Sequence, residues 1–272
     1  MELLLLGTAA ADSWPAGYCD CAACTEARRR GGPNIRAHSG ALIDDDLKID
    51  YGPGTMDHMQ RVRRSLGKVR SILFTHDHAD HLYATDLRRA SPPYTKTRGD
   101  TPIVIYGNAR VLAEIRRVLA DVAKWRLDLR LVQPLEPFTT PTGDTVLPLP
   151  AAHCPEALLY RITRGGKTIF YGHDSGYYPQ ATLDALADGV ALDLVLLDCT
   201  HGGSPSKCEH HQNIEANLKS IEQLRQRGAI VQRTRLIATH FSHNGGLLHE
   251  ELVHAFLPHG VEVAFDGMVV RL

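Results

Sequence analysis

Apolar positions fall in short blocks along the chain, and their period changes from block to block. Continuous or alternating apolar runs predict strands at about 2–6, 40–50, 70–74, 103–106, 145–149, 158–163, 167–171, 193–198, 235–239 and 261–271. Helical spacing predicts helices at about 55–65, 108–119, 179–187, 212–227 and 247–257. In the fourth of these, Ile214, Leu218, Ile221 and Leu224 recur on one face. Helices interleaved with strands argue for a layered α/β arrangement. The stretch Arg164-Gly165-Gly166-Lys167 predicts a two-residue hairpin, because Gly-Gly suits the positive φ of such turns. Antiparallel pairs therefore belong in the sheets, which excludes a purely parallel doubly wound fold. No repeat, low-complexity tract or long linker interrupts the pattern, so residues 1–272 are expected to form a single domain.

Composition changes this picture little. A chain of 272 residues can bury a full core without staples, and 43% hydrophobic with 22% charged residues is ordinary globular usage. A formal net charge of −1 supplies no footprint for a long nucleic acid or an anionic membrane. The opening run Met1-Glu2-Leu3-Leu4-Leu5-Leu6-Gly7 lacks a basic flank and is too short for a signal segment or a membrane span; it predicts a buried strand. A soluble, cytoplasmic protein is expected. There thiols stay reduced, and clustered cysteines are read first as metal ligands.

The chemistry lies in the histidines. There are fifteen, most of them in a few short clusters. After Ile72-Leu73-Phe74 comes Thr75-His76-Asp77-His78-Ala79-Asp80-His81, three imidazoles and two carboxylates within six positions at the end of a strand. Alternate residues share a side, so His76 and His78 can point together while the next turn brings Asp80 and His81 to a second locus. His153, Asp174 and His240 each follow a later predicted strand, where the loops of α/β proteins gather their functional groups. One histidine after a strand is ordinarily a hydrogen-bonded loop residue. Seven such candidates in order predict two adjacent metal ions. Imidazole and carboxylate suit Zn, Mn or Fe, and two ions about 3.5–4 Å apart can activate a water and neutralise a leaving oxygen.

These residues resemble the metallo-β-lactamase superfamily, and Asp50-Tyr51-Gly52-Pro53-Gly54 matches its Asp-containing turn, so the resemblance covers nearly the whole chain. It implies an αββα sandwich, two mixed sheets face to face with helices outside. It also implies that His76, His78 and His153 hold one metal, that Asp80, His81 and His240 hold the other, and that Asp174 bridges them. Asp50 would orient a ligand imidazole from behind. An aspartate bridge points to the phosphodiesterase, glyoxalase II and lactonase branches.

Cys19, Cys21 and Cys24 place three thiols within six residues, and a structural zinc site needs a fourth ligand from elsewhere. Cys199, Cys208 and His243 are candidates; His243 is preferred because it follows His240 by three residues. Cys154 and Cys199 read as small buried residues. The set C-x-C-x-x-C, H-x-H-x-D-H and H-x-x-H (residues 240–243) resembles the PhnP-type phosphodiesterases of the carbon-phosphorus lyase pathway of phosphonate metabolism. That resemblance implies hydrolysis of a small, often cyclic, phosphodiester of ribose or a nucleotide, with two catalytic divalent metals (Mn or Zn), one structural Zn, and a homodimer. It further implies a phosphate-side histidine: His211 is preferred to His210 and His201 because it precedes a predicted helix N-terminus. Asp80 and His211 are the residues expected to take part in catalysis directly, His211 by protonating the leaving oxygen. The alternatives are thioester or lactone hydrolysis, or a non-catalytic accessory role like that of coenzyme PQQ biosynthesis protein B, a relative poorer in metal-site residues. A tRNase Z role is not expected, since no basic Gly-rich insertion lies between Asp174 and His211. The segment Arg88 to Asp100 is long enough to cover the site.

Overall fold

The computed structural model describes residues 1–96 and 99–272. Its first half comprises β1 (Glu2–Gly7), α1 (Ala22–Arg30), β2 (Gly40–Ile43), β3 (Leu47–Ile49), α2 (Thr55–Arg61), β4 (Ser71–Leu73), β5 (Ile103–Gly107), α3 (Ala109–Leu119) and β6 (Leu127–Leu131). The second half comprises β7 (Phe138–Thr139), β8 (Thr145–Pro150), β9 (Leu158–Arg164), β10 (Lys167–Gly172), α4 (Gln180–Ala185), β11 (Leu194–Asp198), α5 (Ile214–Gln226), β12 (Arg235–Thr239), α6 (His249–Phe256), β13 (Val261–Val263) and β14 (Met268–Arg271).

Two seven-stranded mixed sheets result, ordered β14-β1-β2-β3-β4-β5-β6 and β13-β12-β11-β10-β9-β8-β7. In each, antiparallel pairing gives way to parallel pairing in mid-sheet, after β3 in the first and at β10 in the second. The alternation within β1 shows how the layers form. Leu3 and Leu5 enter the core shared by both sheets, which also holds Leu149, Phe170, Val195 and Ile237. Leu4 and Leu6 face the outer layer with Met59, Val111, Leu112 and Ile115 from α2 and α3. A strand buried on both faces has no polar side to show, hence its continuous apolar run. The αββα sandwich expected from the sequence is the fold observed.

Some elements depart from the sequence pattern. The run 40–50 is a hairpin, β2 with β3, turned by Asp44 (φ 44°) and Asp45 (φ 64°), short polar residues that tolerate the left-handed region. The run 261–271 divides into β13 and β14, which belong to different sheets. The buried residues of α5 are Ala216, Asn217, Ser220, Ile221 and Leu224, so its stripe is rotated from the expected one and Ile214 and Leu218 are only half-buried. The hairpin at Gly165 (φ 57°) and Gly166 (φ 75°) forms as expected and pairs Arg164 with Lys167. Among the described residues no helix is long and apolar enough to cross a membrane.

Candidate metal centre

The parallel strands of both sheets end beside one another, and their outgoing loops build the site. Behind β4 come His76, His78, Asp80 and His81; His153 follows β8, Asp174 follows β10 and His240 follows β12. The backbones of Asp50 (φ 54°), Asp174 (φ 65°) and His240 (φ 60°) are all left-handed. Such conformations persist in non-glycine residues only where the surroundings hold them, and they cluster at functional sites.

The structure brings together all seven residues expected to hold the catalytic metals. His153 Nε2 lies 3.1 Å from His78 Nδ1, and His76 Nε2 lies 3.3 Å from Asp174 Oδ2. His81 Nε2 is 3.1 Å from Asp80 Oδ2 and 3.0 Å from Asp174 Oδ2, while His240 Nε2 is 3.6 Å from the same Asp174 oxygen. Asp174 thus stands between the two groups. Four buried atoms here, Nε2 of His76, His81 and His240 and Oδ1 of Asp174, make no hydrogen bond. Orphaned buried polar atoms are costly and rare, and four converging ones fit a pair of divalent cations. When bound, such cations would activate water and neutralise charge on oxygen.

Most of the charges agree with this; His81 is the exception, held well above the usual imidazole range by Asp80 and Asp50 against its burial, so an ion there would displace its proton. Burial by itself would raise the Asp174 carboxyl, but His240, His76 and His81 outweigh it and hold it well below the usual range. The same balance, with His81 and His240, lowers Asp80. Burial and then His81 push His76 well below the usual imidazole range, and burial lowers His153, so both rings stay neutral and can accept a metal.

Ring orientation is set from behind. Asp50, fully buried, lies 2.8 Å from His81 Nδ1 and accepts from the Thr75 amide (2.8 Å) and hydroxyl (3.0 Å), leaving His81 Nε2 for the cluster. Asp198 plays the matching part on the other side and was not singled out from the sequence. It ends β11, accepts from the amides of Asp174 (3.1 Å), Thr200 (3.0 Å) and Gln212 (2.8 Å), and faces His211 Nδ1 at 3.1 Å. The Thr200 hydroxyl donates to Asp198 (3.1 Å) and lies 2.8 Å from His240 Nδ1. The available signal was the acid that closes the wholly apolar run Leu194 to Leu197 at the same sheet edge as Asp174.

Of the three phosphate-side candidates, His211 is the one ion-paired into the site, 3.3 Å from Asp174. His201 lies beside it on the same pocket, 5.8 Å between ring centroids, and the His210 ring bonds the His153 carbonyl at 2.8 Å. Burial opposes the charged form of His211, but Asp198, then Asp174 and Asp80, raise it to about 9. The pocket in front holds about 370 Å³ and is bounded by His211, His201, Asp12, Ser242 and Asn244. A roomier cavity of about 530 Å³ lies on the outer face, lined by Tyr51, Met59 and Leu87, and contains none of the candidate ligands. Tyr94 and Thr95 border that cavity, so the described part of the Arg88 to Asp100 segment lies away from the metal pocket; residues 97 and 98 of it are outside the described residues.

Cys19, Cys21, Cys24 and His243 form a second cluster, their ligand atoms within 4.8 Å of one another, with Cys21 Sγ 3.6 Å from His243 Nδ1. The Cys24 amide, which Cys21 caps at the start of α1, and then His243 lower the Cys21 thiol to about 6. Cys208 lies apart, its thiol against the Ser206 carbonyl. Cys199 is buried as expected, but Cys154 is only half-buried and its thiol joins the His76, His78 and His153 group, because it shares the tight turn that presents His153.

A sandwich of two mixed sheets with a His/Asp metal cluster at its strand ends defines the class of metallo-β-lactamase-fold hydrolases. The chain belongs to the beta-lactamase superfamily, whose domain model matches residues 47–241. It is similar to the crystal structure of a diphosphatase of the PhnP family, with 24% identity and a TM-score of 0.76 over 100% of this chain and 97% of that one. It is also similar to Zn(2+)-bound PqqB from Methylobacterium extorquens (20% identity, TM-score 0.77, 100% of both chains). Human tRNase Z, short form, gives 17% identity and a TM-score of 0.65 over 100% of this chain and 99% of that one. No curated protein sequence matches the chain.

Proposed function

We propose that the protein hydrolyses a small phosphodiester, such as a ribose or nucleotide cyclic phosphate, at a dinuclear metal centre. His76, His78 and His153 would hold one ion, Asp80, His81 and His240 the other, with Asp174 between them. Two Zn or Mn ions would suit this donor set, and one Zn would suit Cys19, Cys21, Cys24 and His243.

The observation that carries the phosphodiester reading is His211. Its Nδ1 faces Asp198 at 3.1 Å and lies 3.3 Å from Asp174, which leaves Nε2 for the pocket, and against burial Asp198 and then Asp174 favour the protonated ring. A positive imidazolium complements an anionic diester, and a proton held at Nε2 serves an alkoxide leaving group. A thioester needs that proton less, because a thiolate, of pKa about 8.5, leaves readily without it. The pocket, about 370 Å³, suits a small substrate, and a formal net charge of −1 does not favour a long polyanion.

The test is hydrolysis of bis(p-nitrophenyl) phosphate and 2′,3′-cyclic AMP by Mn-loaded protein, with metal analysis and His78→Ala as control. Turnover of both esters that disappears in the control is expected. Absence of turnover in protein carrying about three metals per chain would refute the phosphodiester reading and favour thioester or lactone hydrolysis, or an accessory role.

A further inference from the structure

Lys48 lies in the middle of β3 between two residues of the inner core, Leu47 and Ile49. Strand alternation therefore sends its side chain into the opposite, outer layer, where it is 1% exposed. No carboxylate forms an ion pair with it among the described residues. A position that served packing alone would carry Leu or Val, because a buried ammonium without a counterion is expensive. What the amine does have is two backbone acceptors: Nζ donates to the carbonyls of Ile49 (3.1 Å) and Asp50. Neighbouring β2 leaves room for it with Gly40, where an added Cβ would lie 3.1 Å from Nζ.

The acceptor matters because of what Asp50 does. Its backbone is left-handed (φ 54°), and its amide donates to the Leu73 carbonyl at 2.9 Å. With Lys48 on its carbonyl, the residue is held at both ends. In that pose its carboxylate meets Thr75 and His81 Nδ1. We propose that Lys48 is a positioning residue for the metal position formed by Asp80, His81 and His240: it clamps the Asp50 peptide, Asp50 fixes the His81 ring, and His81 Nε2 is thereby presented to the ion. The inference rests on the reading that these residues hold a metal.

Mn(II) titration of the full chain, with free Mn(II) followed by electron paramagnetic resonance, reads the oxygen and nitrogen sites without the thiol cluster. Wild type should take two Mn(II) per chain. Lys48→Met should weaken one of the two about tenfold and leave the other unchanged, the range expected when a group behind a metal ligand is lost. Asp50→Ala should weaken the same ion at least as much. In Lys48→Met/Asp50→Ala the lysine change should add nothing, since its effect passes through Asp50. Wild-type Mn(II) affinity in Lys48→Met, or additive losses in the double variant, would overturn the proposal. If Lys48→Met does not fold, Lys48→Leu, which fills the same apolar layer without an amine, decides: selective weakening of one Mn(II) is expected and unchanged affinity overturns the proposal. Failure of wild type to bind Mn(II) at all would instead refute the metal reading on which it rests.

Discussion

His211 is held on one side by Asp198 and open to the pocket on the other, the arrangement of a proton donor. Its value should depend on the leaving group. p-Nitrophenolate departs without a proton, whereas a ribose alkoxide does not. His211→Ala should therefore cost about 10²- to 10⁴-fold in kcat on 2′,3′-cyclic AMP and much less on bis(p-nitrophenyl) phosphate, with metal content unchanged. Equal losses on both esters would assign His211 to binding instead. Asp198→Asn gives the sign of the pH effect. Removing that anion lowers the His211 pKa, so the alkaline limb of kcat should move to lower pH. At this scale the candidate ligands were legible in the sequence because H-x-H-x-D-H compresses four of them and the other three, His153, Asp174 and His240, each follow a predicted strand. Asp198, Lys48 and the placement of Cys154 were not, because each acts through a neighbour that is distant in sequence or through the path of a turn.

The turn of residues 50–54 and the loop of residues 76–82 act as one unit. The Tyr51 amide donates to the His81 carbonyl (2.8 Å) and the Tyr83 amide to the Tyr51 carbonyl (2.7 Å). Gly52 sits so close that an added Cβ would lie 1.9 Å from the Asp80 carbonyl oxygen, a backbone atom unable to give way alone. Gly52→Ala should push the Asp80 loop outward, reducing bound metal at the Asp80, His81 and His240 position and lowering the melting temperature. A variant with full metal content would show that the loop yields freely. Glycine here answers to close approach, which a sequence pattern cannot reveal. Elements, by contrast, were legible where both faces are buried, as in β1, β10, β11 and β12. Helix α1 was missed because it buries only Cys24 and Ala27 and ends in Arg28, Arg29 and Arg30. Strand β6 was missed because Arg130 and Leu131 face outward at a sheet end.

Across the whole molecule, the candidate ligands divide between the sheets: His76, His78, Asp80 and His81 leave the first, His153, Asp174 and His240 the second. Metal binding should therefore stabilise the sandwich as a unit, by roughly 2.7 kcal/mol for each ion at a hundredfold excess over its Kd. How this gain depends on pH follows from the imidazoles. His76 and His153 are lowered, so in the metal-free fold they stay neutral below the usual imidazole pKa of about 6.5, whereas His81, which Asp80 and Asp50 hold well above that range against its burial, carries a proton that an incoming ion must displace. Acid opposes the metal-free fold separately. Asp80 and Asp174 have depressed pKa values, so the stability they contribute is present above the unfolded carboxylate pKa, about 3.9, and is lost as pH falls below it. Thermal melts of Mn-loaded protein, against the same protein after removal of Mn by dialysis, should show a gap that narrows as pH falls from 8, because the proton on His81 competes with the ion, yet is still present at 6.5, where His76 and His153 remain neutral. A gap independent of pH over that range would mean that binding displaces no ligand proton, and that the ions are held by side chains other than the buried cluster between the sheets.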